Sequence, residues 1–219
     1  MRKEKIKLII AMLIFGSLGL FVRNIDLPSG VIACARGFIG GTVLLVARLI
    51  KDRKIDKALI RKNIIQLVLA GAAMGFNWIF LFEAYRYTTI SVATLCYYIA
   101  PMIVILLSPL ILKERLTAVK VICAVAALVG MVLLLDLRSG MQSAQAMGIL
   151  YGLLAAILYA TVMLLNKFVK GLSGIDSSII QLFAAAIVLV PYIFIREAVS
   201  FGHMNTSSLL SLLIVCVVH

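Results

Sequence analysis

The chain has 219 residues, 63% of them hydrophobic, with a mean hydropathy of +1.14 and a formal net charge of +12 at pH 7. Soluble domains are close to half apolar, so a single core packed in water is excluded. The basic residues sit in short clusters between long apolar runs, which excludes a nucleic-acid-binding stripe as the meaning of the charge.

A helix needs about 20 apolar residues to cross the hydrocarbon of a bilayer. Segments of that kind are predicted at about 7–23, 30–50, 64–83, 89–112, 117–136, 147–166 and 177–196, with an eighth starting near 207. The fold class is therefore all-α, a polytopic helical membrane protein. A β-barrel is excluded because the runs are continuous, without the alternation of lipid-facing strands. The first segment follows "MRKEKIK" but contains Gly16 and Gly19 and has no small-residue cleavage site before Arg23, so it reads as a span and not a signal peptide.

Alternating the segments across the membrane sorts the cations. With the N-terminus inside, the inner ends hold Arg2, Lys3, Lys5 and Lys7, the run from Arg48 to Lys62, then Lys113, Arg115, Lys120, Lys167 and Lys170. The outer loops hold one each: Arg23, Arg86, Arg138 and Arg196. This is the positive-inside bias, and it predicts a multi-pass protein of the cytoplasmic membrane with a cytoplasmic N-terminus.

The second segment contains Arg36 within "VIACARGFIGG". A central arginine costs about 2.5–3.5 kcal/mol on insertion scales. Its helix neighbours Ala33, Gly37 and Gly40 are small, which places it beside a face where other helices approach. It is either a cation lining a central cavity or a snorkelling side chain capped by loop carbonyls. On the third segment Gln66, Ala70, Ala73, Asn77 and Ala84 share one face, and Gly71, Gly75, Trp78 and Phe82 the opposite one. Small residues on both sides predict an interior helix, with Asn77 either polar lining or a cross-helix bond.

On the fourth segment Ser91, Thr94, Tyr98, Pro101 and Ser108 fall within roughly a third of the circumference, with Tyr97 beside them. They are either a polar cavity wall or interhelical hydrogen-bonding groups. Pro101 cannot donate to the carbonyl of Tyr97, which predicts an acceptor for water or substrate, or a packing kink. On the sixth segment Gly148, Gly152, Ala155, Tyr159 and Asn166 form a stripe, with Gly148 and Gly152 as a helix-packing pair.

Cys34, Cys96, Cys123 and Cys216 all fall inside spans without metal-ligand spacing, and read as small packing residues. No Ser/His/Asp or H-E-x-x-H arrangement occurs, nor a phosphate-binding glycine loop. No enzyme, metal or cofactor is predicted. Glu114 and Arg115, in a cytoplasmic turn, are predicted to form a fold-stabilising ion pair.

After the fifth segment a short loop, "SGMQSAQ", leads to Met147, and "LYATVMLLNK" at 158–167 faintly echoes "FGSLGLFVRN" at 15–24. An odd number of spans would insert a second copy upside down, as in the inverted repeats of secondary transporters. Residues 80–135, "FLFEAYRYTTISVATLCYYIAPMIVILLSPLILKERLTAVKVICAVAALVGMVLLL", resemble the end of an EamA-type repeat of the drug/metabolite transporter superfamily. Ala84, Tyr87, Thr88, Pro101, Glu114, Arg115 and Gly130 carry the resemblance, and "FGSLGLFVRN" and "ARGFIGG" fit its first two helices.

The resemblance implies ten helices in two inverted five-helix repeats and a carrier of small metabolites, commonly an exporter. On it, 1–137 is the first repeat and 147–219 a partial second one. The last apolar run, "LLSLLIVCVVH", stops at His219, so a fragment of a longer chain, or a half-size unit that assembles with another chain, is expected.

The function expected is a cytoplasmic-membrane carrier of amino-acid-like or other small organic solutes, working by alternating access. A lipid-linked substrate translocase and a non-transporting membrane subunit are the alternatives. Arg36, Asn77, Thr94, Tyr98, Pro101 and Tyr159 are the candidate substrate-binding residues. The partners expected are a small-molecule substrate and the lipid bilayer, not nucleic acid, with a homo-oligomer or a missing C-terminal part completing the second repeat.

Overall fold

The computed structural model describes residues 2–50, 57–113, 116–134, 143–196 and 205–218. Glu114 and Arg115, with the ion pair expected of them, and residues 51–56 and 135–142 lie outside them. The described residues form α1 (Arg2–Arg23), α2 (Ser29–Ile50), α3 (Lys57–Tyr87), α4 (Ile90–Tyr97), α5 (Ala100–Ile111), α6 (Ala118–Leu134), α7 (Ser143–Phe168), α8 (Gly174–Arg196) and α9 (Thr206–Val217). No strand occurs among them. Lipid offers backbone groups no hydrogen bonds, and helices satisfy theirs within the segment. Among the described residues, five spans are long and apolar enough to cross a membrane: α2, α3, α4 with α5 (Ile90–Ile111), α7 and α8, while α6 and α9 are shorter apolar helices. The protein is a multi-pass membrane protein.

The span expected as one helix over 89–112 is broken between Tyr97 and Ala100. Pro101 lies in the first turn of α5. A proline there loses only an N–H that the helix start leaves unbonded anyway. Across the break the chain tightens, with the Ile99 N–H bonding the Cys96 carbonyl at 3.2 Å and Met102 bonding Ile99 at 2.9 Å.

α3 is the centre of the bundle, packed between α7 and α8 and also touching α1, α2 and α4. Small residues set these distances. A Cβ at Gly71 would lie 2.5 Å from the Gln181 carbonyl oxygen and 2.7 Å from the Ala184 Cβ. One at Gly37 would lie 2.7 Å from the Leu182 carbonyl oxygen, so α2 also rides directly on the α8 backbone. Gly152 of α7 faces Cys96 of α4 in the same way, at 2.8 Å. α9 packs on α1 and α2, and α6 packs on α5.

Polar clasps close both ends. At one end Arg23 donates from Nε to the Tyr85 carbonyl at 2.9 Å and from Nη2 to the Thr88 carbonyl at 2.5 Å. Arg86 donates to the Leu27 carbonyl, and the Asp26 N–H donates to Ser208 Oγ at 3.0 Å. At the other end Arg48 of α2 pairs with Asp176 of α8, both largely buried. There Asn63 donates to the Lys170 carbonyl and accepts from the Lys170 N–H, each at 3.1 Å. Gln181 Nε2 donates to Asn166 Oδ1 at 2.6 Å. These two groups sort the helix ends as the alternation of spans requires.

Gly71→Ala should lower stability by about 1–3 kcal/mol, the usual effect of overpacking. Gly130 of α6 has nothing within 4 Å of a Cβ, so Gly130→Ala should be neutral or stabilising by up to about 1 kcal/mol. Reversible unfolding of detergent-solubilised variants measures both. Equal effects at the two positions would refute the close α3–α8 approach.

Candidate functional site

Arg36 is drawn into the bundle by the small residues around it. Gly37 seats α2 on α8, and a Cβ at Gly40 would stand 3.1 Å from the Cys216 carbonyl oxygen of α9. With α8 and α9 this close, Arg36 is 8% exposed. Its guanidinium carbon sits 4.4 Å from the centroid of the Trp78 ring on α3. A cation over an indole face gains about 0.5–2 kcal/mol, more where water is excluded. This offsets part of the burial cost of an arginine in a span. Counted from Ser29, Arg36 lies roughly 10 Å into the membrane-spanning part of α2.

Beside the guanidinium is a cavity of about 220 Å³, lined by Arg36, Trp78, Gly40, Val43, Leu44, Leu182 and the Cys216–Val218 stretch. A wider hollow of about 500 Å³ at Lys57, Ala58, Arg61 and Lys62 touches none of the sequence-predicted residues.

A second group of polar side chains joins the same buried core. Asn77, 1% exposed, follows from its neighbour Trp78 being turned to α2, since successive helix residues point about 100° apart. Its Nδ2 donates to the Ala155 carbonyl of α7 at 2.6 Å, and its Oδ1 accepts from the Tyr97 hydroxyl at 3.3 Å. Tyr97 stacks on Tyr159 with ring centroids 5.1 Å apart. Thr94 lies beside the Tyr85 hydroxyl. Tyr85, Tyr97 and Cys216 all lie within electrostatic reach of Arg36.

Of the residues singled out in the sequence, Arg36, Asn77, Thr94 and Tyr159 therefore converge on the interior. Tyr98, 43% exposed, and the exposed Pro101 do not. The physical reason is the approach of α7: Ala93, Cys96 and Ala100 are each fully buried, so the small-residue face of α4 and α5 turns inward and brings Tyr97 with it. The hydroxyl stripe at Ser91 and Tyr98 is left on the exposed side, while Ser108 is buried and bonds the Ile105 carbonyl at 2.8 Å. Sequence reasoning missed Trp78, Tyr85, Tyr97 and Cys216 as neighbours of Arg36. A signal was present in Trp78, the chain's one tryptophan, set beside Asn77 in the middle of a span.

The arrangement can hold an anion. A guanidinium presents a planar fork that matches the two oxygens of a carboxylate, and here one face of that fork is covered by the indole. The sequence profile of the EamA-like transporter family matches residues 3–136. An uncharacterized transporter of Bacillus subtilis (strain 168), YxxF, is 31% identical over 195 residues, covering 86% of this chain. The chain spans 61% of that relative's length. A solved crystal structure, 20% identical, superposes with a TM-score of 0.70 over 93% of this chain and 70% of its own, a likeness of fold.

Asn77 and Tyr97 give a test of the buried polar contact. Tyr97→Phe should lower stability by about 1–3 kcal/mol, because it strands a buried acceptor, and adding Asn77→Leu should recover part of that loss. A double-mutant cycle on unfolding free energies reads the coupling. Strict additivity would show that the two side chains do not interact.

Proposed function

The chain belongs to the EamA-like transporter family, and from that premise we propose that it is a carrier of small organic solutes that holds a substrate carboxylate at Arg36. Alternating access moves the solute across the cytoplasmic membrane. The observation that carries this reading is the buried Arg36 guanidinium, stacked on Trp78 and bordering a cavity between α2, α3, α8 and α9. In a low-dielectric site an arginine seeks an oxyanion with two acceptor atoms.

Asn77, Thr94, Tyr97 and Tyr159 fix the shape of the wall behind that cation, through α3, α4 and α7. Tyr98 and Pro101 stand outside the proposed site. Residues 1–137 and 147–219 are read as two inverted units that meet at the antiparallel contact of α2 with α8, a place where secondary transporters bind their substrates. That contact runs from Gly37 beside Ala186 to Arg48 beside Asp176.

Transport per folded molecule, measured in cells with a panel of labelled carboxylates, tests the role of Arg36. Arg36→Ala should lose about 10–100-fold, the worth of a charge-assisted hydrogen bond of roughly 1.5–3 kcal/mol. Arg36→Lys keeps the charge without the planar fork and should be weakened, with Arg36→Gln between the two. Wild-type turnover in Arg36→Ala would remove this residue from the site. Tolerance of Lys, with Ala losing folded protein in proportion to activity, would make it a snorkelling side chain.

The positive-inside bias supports a cytoplasmic N-terminus. Cysteines introduced at Ser139 and Gln142 should react with an impermeant thiol reagent in intact cells, while one at Asp56 stays unlabelled. The reverse pattern would invert the orientation.

A further inference from the structure

α3 begins well before its apolar run. The helix starts at Lys57, whereas the uncharged stretch opens at Ile64. At 1.5 Å per residue, Arg61 and Lys62 stand roughly 3–5 Å ahead of that stretch and Lys57 roughly 10 Å ahead of it. A hydrocarbon core of about 30 Å within a bilayer of about 40–45 Å leaves a headgroup layer of roughly 5–7 Å on each side. Arg61 and Lys62 therefore stand at the level of the lipid phosphates, with Lys57 at the outer edge of that layer.

These cations are gathered in one place. Lys57, Ala58, Arg61 and Lys62, all exposed, are the described residues lining the hollow of about 500 Å³. At about 100° per residue they share a side of α3 with Ile65, Val68 and Leu69 of the next turns, which are exposed as well. Asn63, Leu67, Ala70 and Gly71 are buried on the other side, toward the bundle. The outward side of α3 is thus a cationic hollow that continues directly into an apolar strip. The surrounding stretch, 51–62, holds six Lys and Arg against two Asp, so its excess charge is positive.

We propose that this hollow binds the headgroup of an anionic phospholipid, its phosphate held by Arg61, Lys62 and Lys57 and an acyl chain lying along Ile65 and Leu69. The guanidinium fork takes two phosphate oxygens, and the ammonium groups add point charges. Basic clusters beside a membrane-spanning helix attract anionic lipids in this way. A zwitterionic headgroup carries its own cation, which the three side chains repel. A soluble phosphate ester meets the same cations only from dilute solution, whereas the bilayer holds a lipid phosphate at their level.

Native mass spectrometry of the purified chain tests this, titrated in detergent with phosphatidylglycerol, cardiolipin, phosphatidylcholine and glycerol 3-phosphate. The two anionic lipids should be retained at least about tenfold more tightly than phosphatidylcholine, a preference of the size that a few cations near a charged headgroup supply. Glycerol 3-phosphate should not be retained. Arg61→Gln should weaken the anionic lipids about fivefold, the worth of one such charge, and Arg61→Lys should weaken them less. Lys57→Gln/Arg61→Gln/Lys62→Gln should abolish the preference with wild-type circular dichroism. Lys120→Gln/Lys167→Gln, which removes two exposed cations outside the hollow, should leave it intact.

Phosphatidylcholine retained as tightly as the anionic lipids would overturn the site and make this face ordinary lipid contact. An equal loss in the Lys120 and Lys167 pair would also overturn it, by tracing the preference to total surface charge. Glycerol 3-phosphate held as tightly as the lipids would overturn the lipid assignment in favour of a soluble phosphate ester.

Discussion

The closeness with which α3 can be approached from two sides governs this bundle. Water supplies no driving force between helices inside lipid, so association rests on packing, hydrogen bonds and the absence of side chains in the way. Gly71 and Gly75 meet α8 through the Gln181 and Ala185 carbonyls and the Leu189 side chain. On the other side Ala155 of α7 is fully buried and close enough for its carbonyl to accept from Asn77. A larger residue at either contact would move α8 or α7 outward. The positions of α2, which rides on α8, and of α4, which rides on α7, would move with them.

That geometry explains how one helix serves both polar groups of the interior. Asn77 and Trp78 are consecutive, so their side chains leave α3 about 100° apart. Asn77 ties α3 to α7 and, through Tyr97, to α4. Trp78 supplies the surface on which Arg36 of α2 rests. A shift of α3 about its own axis would therefore be felt at once by the Arg36 cavity and by the tyrosine stack.

Much of this was legible in the residues. The apolar runs located α2, α4 with α5, α7 and α8 to within a few positions, since charge and hydropathy change abruptly at a membrane surface, while α3 starts at Lys57, ahead of the run that begins at Ile64. The two small-residue faces marked α3 as interior, and the Gly148–Gly152 stripe marked the side of α7 that meets Thr88 and Cys96. The fourth span was harder. A hydroxyl stripe and a small-residue face competed for the interior, and the demand of α7 for close approach settled the choice in favour of Ala93, Cys96 and Ala100. The pairing of Arg36 with Trp78 joins different helices, and periodicity within one helix carries no information about what stands opposite. The capping of the α3 end by Arg23 escaped for the same reason, because Arg23 counts in a charge tally only as a loop cation.

The pairing of Arg48 with Asp176 has a property that an ordinary buried pair lacks. Arg48 lies in the last turn of α2, and Asp176 in the first turn of α8. A cation is favoured at a helix C-terminus and an anion at an N-terminus, by about 0.3–1 kcal/mol at exposed sites and up to about 2 kcal/mol when partly buried. Each charge is thus stabilised by its own helix as well as by its partner. When such a pair parts, neither ion is abandoned, because the dipole of its own helix travels with it. A separation of α2 from α8 at this end would therefore cost less than the parting of two buried ions that stand mid-helix.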